Sequence, residues 1–233
     1  MTYSFSYKKE MERWKNIISD REFWFILVFN ACLAWGYNDG WLSSDTIIWI
    51  YFFQSVIIGI SNAVRIACLK NFDTTNFQVN GQSVAPNSKT KWMSYIFFMF
   101  HFGFFHVVYF IFLTVMSINN GSKLDFRVVL INIGIIAVNA IFSTWSTVVQ
   151  DREEKPGLSG MFFTPYLRVV PMHLFIIIGF TQKVSPDIVL PIIGSVHIFY
   201  LFLLLKSVSD LLMHVIISKS WRGIRVKAIG GYI

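Results

Sequence analysis

The chain has 233 residues, 55% of them hydrophobic and 14% charged, against about 25% charged in a soluble domain, so water is not its main solvent. The formal charge of +7 comes with no nucleic-acid module, and the Lys and Arg gather in short segments between apolar runs, which excludes a nucleic-acid binder and points to orientation in a membrane. Only two cysteines exist, Cys32 and Cys68, each inside an apolar run, so no disulfide framework is expected.

Residues 1–22 mix acidic and basic groups and lack the apolar core and small-residue cleavage site of a secretory signal; they read as an amphipathic cytoplasmic lead-in. Residues 23–217 then hold six apolar stretches, each read as a helix crossing a hydrocarbon core of about 30 Å. The first, Phe23 to Tyr37, is short, with Arg21 and Glu22 placed to snorkel ahead of it. The second, Ile47 to Leu69, carries Gln54, Ser61 and Arg65 at steps of seven and four, beside a stripe of Ser55, Gly59 and Asn62; it is expected to face the protein interior. A polar connector from Lys70 to Lys91 leads to the third, Ser94 to Met116, with His101 and His106.

Asn120-Gly121-Ser122 matches a glycosylation acceptor, a tripeptide that arises often by chance. The fourth stretch, Val128 to Val149, shows a stripe of Asn132, Asn139, Ser143 and Gln150, suited to close packing or to a wetted cavity. The fifth, Tyr166 to Phe180, is also short; Pro165 is placed to start it at the first helical position, and Arg168 and His173 follow. The sixth, Ile188 to Ile217, carries His197, Lys206, Asp210 and His214, and residues 218–233 form a basic tail. Of the 20 Lys and Arg, five precede the first span, four flank the second loop, three lie around the fourth and four in the tail. By the positive-inside rule both termini are cytoplasmic. The fold class is thus all-α, a polytopic transmembrane helix bundle of about six spans.

Ionisable groups inside spanning helices are expensive and are candidates for function. In this topology His101 and His173 each lie about two turns from the cytoplasmic start of an outward helix, and Asp210 and His214 approach the cytoplasmic end of the last. Asp210 and His214, four apart, share one helical face. Three imidazoles and a carboxylate would make a first shell for zinc or non-haem iron, with copper open through the histidines, and an open position would activate water or a redox substrate. Arg168 and Lys206 would pair with or support that set, and Gln54, Arg65, His106 and His197 would extend it as a polar pathway. Two other readings stand beside this one. Lys206 and Asp210 are also four apart, so an ion pair within the helix would neutralise both, and histidines serve as hydrogen-bonding glue between helices. Alternatively, buried Arg65, Lys206 and Asp210 would line a transport or proton path.

The segments Tyr51-Phe-Phe-Gln54-Ser-Val-Ile-Ile-Gly59-Ile-Ser-Asn62-Ala-Val-Arg65, His101-Phe-Gly103, Pro165-Tyr166-Leu-Arg168-Val-Val-Pro-Met-His173 and Leu205-Lys206-Ser-Val-Ser-Asp210-Leu-Leu-Met-His214 together resemble the motifs of an uncharacterised family of small prokaryotic polytopic membrane proteins. The likeness runs from about Thr46 to His214. It implies an architecture and a set of positions, His101, His173, Asp210 and His214 foremost, rather than a reaction. Where the family pattern has an acid in the second helix this chain has Gln54, which cannot supply that charge, and a second histidine of the third helix is displaced. The functions that follow are a metal-binding membrane protein of a prokaryotic cell, acting as a metal-dependent enzyme; a transporter or proton-coupled channel; or a non-catalytic subunit of a membrane complex. Its partners are the lipid bilayer and other membrane proteins or further copies of itself, and no nucleic acid. No glycine-rich phosphate loop, Gly-x-Ser-x-Gly elbow, haem-attachment cysteine pair or His-Glu-x-x-His motif is present.

Overall fold

A computed structural model describes residues 15, 18–119, 124–184 and 195–217, with the backbone alone for 179–184, 195–198 and 216–217. The described residues form six helices, α1 (Arg21–Asn38), α2 (Ser44–Cys68), α3 (Ser88–Asn119), α4 (Phe126–Glu153), α5 (Leu158–Val184) and α6 (Ser195–Ile217), and one small hairpin, β1 (Gln78–Val79) with β2 (Gln82–Ser83). The class is all-α. Among the described residues four helices are long and apolar enough to cross a membrane: α2, α3, α4 and α5 over Leu158–Ile178. Each of the six expected spans falls on a helix, although 188–194 of the sixth lies outside the described residues.

The chain divides into two compact units, one made of Met1–Asp39 with Leu190–Ile233 and the other of Gly40–Val189. In the first, α1 packs on α6. Asp20 starts α1 by accepting the Glu22 amide at 3.1 Å, and the Tyr37 ring lies 4.3 Å from that of Phe199.

In the second unit α2 is the central helix, touched by α3, α4 and α5. Ile47, Ile50, Tyr51 and Ile66 are fully enclosed there. Ser43 caps its start, accepting the Thr46 amide at 3.2 Å. The far end is closed by Lys91, whose Nζ donates to the carbonyls of Ala67 (3.3 Å) and Leu69 (3.1 Å), the orphan acceptors that every helix C-terminus leaves. The contacts of α2 fix directions. Trp49 Nε1 reaches Ser117 Oγ near the end of α3 (3.1 Å), so α3 runs antiparallel to α2. Thr46 Oγ1 accepts the Asp125 amide (3.1 Å) and Arg65 meets Asp151 (3.0 Å), so α4 runs parallel to α2.

The outward faces of α3 and α4 carry exposed Phe100, Val107, Ile118, Ile131, Phe142 and Trp145, as lipid contact requires.

Two sequence expectations need correction. The segment between α2 and α3 does more than connect. Asn80 and Gly81, both at positive φ, make the tight turn of the hairpin, while Phe72 and Phe77 are buried. Asp73 donates its amide to the Pro156 carbonyl (3.0 Å) and accepts that of Leu158 (2.9 Å), which pins the start of α5. That helix therefore begins at Leu158, and Pro165 lies within it rather than at its first position. Phe162 secures the added turns, its ring 5.7 Å from those of Phe77 and Phe97.

Candidate functional site

Two histidines and two tyrosines of the Gly40–Val189 unit meet along the seam between α3 and α5. His101 Nδ1 meets the Tyr166 hydroxyl at 2.7 Å, and the Tyr109 hydroxyl meets His173 Nδ1 at 3.0 Å. The arrangement is reciprocal: each helix supplies one histidine and one tyrosine. Because the lower-numbered partners pair together, α3 and α5 run parallel, and the two pairs stand about 10–12 Å apart along the axis at 1.5 Å per residue.

His106 lies between them on α3 and is buried. Its Nδ1 is 2.9 Å from the Phe102 carbonyl and its Nε2 2.9 Å from Ser55 Oγ of α2. A carbonyl only accepts, so Nδ1 carries the proton, and in the neutral ring Nε2 accepts from the Ser55 hydroxyl. The ring stacks on Phe102 at 4.3 Å. Phe102 in turn occupies the place where a Cβ on Gly59 would stand, so the glycine of α2 is what lets this stack lie against it.

At the ends of α2 and α4, Arg65 donates through Nε (3.1 Å) and Nη2 (3.0 Å) to Asp151 Oδ2. The Asp151 side chain is 4% exposed and that of Arg65 14%, so this is a largely desolvated pair. Asn62 Nδ2 donates to the Met161 carbonyl of α5 at 2.9 Å.

In the other unit, Lys206 Nζ lies 2.8 and 2.9 Å from the two carboxylate oxygens of Asp210, both residues almost fully enclosed. One turn on, His214 faces α1: Nε2 is 3.3 Å from Asp20 Oδ2 and Nδ1 3.7 Å from Glu22 Oε2. The Asp20 contact is within ion-pair reach but makes no aligned hydrogen bond.

Outside the helices, Asp73 accepts from the Thr75 hydroxyl at 2.5 Å and the Thr75 amide at 3.0 Å. The hydroxyl first, then the amide, holds its carboxyl below the ordinary value against a small opposing effect of burial.

The four residues expected to hold a metal fall two in each unit. His101 and His173 belong to the Gly40–Val189 unit and do not share a layer, because α5 is offset along α3 so that each histidine faces a tyrosine. Asp210 and His214 belong to the other unit; one binds Lys206 and the other faces Asp20 and Glu22. Among the described residues no group of three or more His, Cys, Asp or Glu is arranged to hold a metal ion. Gln54 is buried on α2 and Arg168 half-buried on α5, while the side chain of His197 lies outside the described residues. Sequence reading missed Tyr109, Tyr166 and Asp151. The signal was there for the tyrosines: Tyr109 follows His101 by eight residues and Tyr166 precedes His173 by seven, complementary spacings on two parallel helices.

No curated protein and no solved structure matches this chain. A family match does, over residues 12–223, which takes in all six described helices. The chain belongs to that family, described as a family of unknown function (DUF6498).

Proposed function

We propose that this protein is a six-span bundle of a prokaryotic cell membrane, with both termini cytoplasmic, that moves protons along the α3–α5 seam, alone or coupled to a polar solute. The observation that carries this is the reciprocal pair of His–Tyr hydrogen bonds with His106 and Ser55 between them. A metal centre needs ligands converging on a point. Groups that both give and accept a proton, spaced along the axis of two parallel spans, suit transfer along that axis instead. A hydroxyl bonded to an imidazole can pass a proton in either direction, because the imidazole takes one on one nitrogen and releases one from the other.

Purified protein in liposomes loaded with a pH-sensitive dye tests the reading. An imposed gradient should collapse faster than in empty vesicles, and His106→Leu should return the rate toward that of empty vesicles. A wild-type rate equal to that of empty vesicles, with and without candidate solutes, overturns it. Near-stoichiometric zinc, iron or copper after chelator-free purification would favour a metal-dependent enzyme, and fixed co-purifying partners a subunit of a larger complex.

A further inference from the structure

A helix normally closes each turn by an amide donating to the carbonyl four residues earlier. Residue 165 of α5 would donate to Met161, but it is proline and has no N–H, and its ring pushes that carbonyl aside. A backbone carbonyl left unpaired in an apolar interior costs several kcal/mol. The acceptor is nonetheless satisfied, from outside the helix: Asn62 Nδ2 of α2 donates to the Met161 oxygen at 2.9 Å, and Asn62 and Met161 are each 5% exposed.

The residue after Pro165 is Tyr166. Its ring is boxed by Phe98 at 6.1 Å, Phe102 at 5.7 Å and Phe162 at 6.3 Å, and its hydroxyl meets His101 at 2.7 Å. The carbonyl that Asn62 serves, the broken turn at Pro165 and the tyrosine of the His–Tyr pair therefore follow one another within a few residues of α5. We infer that Asn62 is a positioning residue: by replacing the hydrogen bond that Pro165 removes, it fixes the path of α5 so that Tyr166 stays on His101. Its importance for function rests on the seam being the proton path, while the structural claim stands by itself.

The test is a rescue in full-length protein in nanodiscs, labelled with 15N at histidine, the His101 ring signal being assigned with His101→Phe. Asn62→Leu keeps the branched shape and removes the donor. It should move the His101 Nδ1 signal toward its position in Tyr166→Phe, where the hydroxyl is gone. Pro165→Ala restores an amide at position 165, so Asn62→Leu combined with Pro165→Ala should return the signal to its wild-type position. Pro165→Ala alone should leave it there. If Asn62→Leu does not accumulate as folded protein, recovery of folded protein in the double variant is the same rescue. An unchanged His101 signal in Asn62→Leu overturns the inference, as does a double variant that stays displaced or unfolded, since an asparagine that only fills space gains nothing from the amide at 165. Rescue of the ring signal with no proton flux in wild-type liposomes would remove the proposed function and leave the role of Asn62 intact.

Discussion

Helices α2 and α4 are alike as sequences, both long, apolar and striped with Asn, Ser and Gln, yet they occupy opposite situations. Of the most apolar stretch of each, 61% of α2 is buried inside the protein and 11% of α4. Lipid tails are as apolar as leucine, so hydrophobicity does not sort helices between the centre and the rim of a bundle; close packing and polar contacts do. The centre is marked by what permits approach and needs a partner. Gly59 admits the Phe102 ring, Ser55 binds His106, and Asn62 reaches α5. The stripe on α4 makes local bonds by contrast: Asn132 Nδ2 donates to the Val128 carbonyl one turn back at 2.9 Å, and Gly134 has open space beside it.

The strongest way to break this contrast is at the ion pair where the two helices join. Asp151→Leu leaves Arg65 without its partner and should cost about 3–5 kcal/mol, toward the lower end because Arg65 keeps some exposure. Arg65→Met combined with Asp151→Leu should recover most of that loss, since two apolar side chains need no counter-charge. Thermal unfolding in detergent, followed by loss of the monodisperse species, reads both. Equal melting of the single and double variants would mean that the charges are not what couples α2 to α4.

Next in size are the two glycines. Gly59→Val drives a side chain into Phe102 and should cost about 1–3 kcal/mol. Gly134→Ala meets nothing within 4 Å and should be neutral or stabilising by up to about 1 kcal/mol, through helix propensity alone. The same melting assay sharpens the comparison, and a Gly134→Ala variant as damaged as Gly59→Val would abolish it.

The smallest effect lies outside both helices, at Asp73. Its folded-state pKa is lowered, chiefly by the Thr75 hydroxyl, so the carboxylate's contribution to stability is complete above the unfolded pKa and is lost as pH falls through the folded one. The protection factor of the Thr75 amide, its exchange rate set against the intrinsic rate at each pH, should fall over that acidic window while α2 and α4 stay protected, and Asp73→Asn, which has no carboxylate to titrate, should show no such acid step. A Thr75 protection factor that does not respond to acid in the wild-type protein would show that the carboxylate does not hold this turn.

The helices were legible because apolar runs of this length have few other ways to satisfy their backbone. The inward role of α2 was legible too: Gln54, Ser55, Gly59 and Asn62 are all buried. The alternative pairing of Lys206 with Asp210, four residues apart, is the geometry found. What failed to show is what depends on the offset of one helix along another. Periodicity places His101 and His173 on faces, but their relative height depends on how α5 is anchored, and the anchor at its start is two backbone hydrogen bonds of Asp73 that no side chain announces. Pro165 misled for a related reason. Its ordinary place is the first turn of a helix, and it sits deeper here because a side chain more than a hundred positions earlier stands in for its missing amide.

The two charge pairs differ in one respect that bears on how the chain is made. Lys206 and Asp210 are one turn apart on α6, so the cation and its counter-ion emerge from the ribosome together and can neutralise each other as soon as that turn forms. A lone lysine opposes insertion of a helix centre into a membrane by about 2.5–3.5 kcal/mol. Arg65 has no such provision: its acid lies 86 residues downstream, at the end of a helix not yet synthesised when α2 is ready. The second helix carries its arginine in its last turn, where the long side chain can stay at the membrane surface until α4 arrives. The last brings its own neutrality with it.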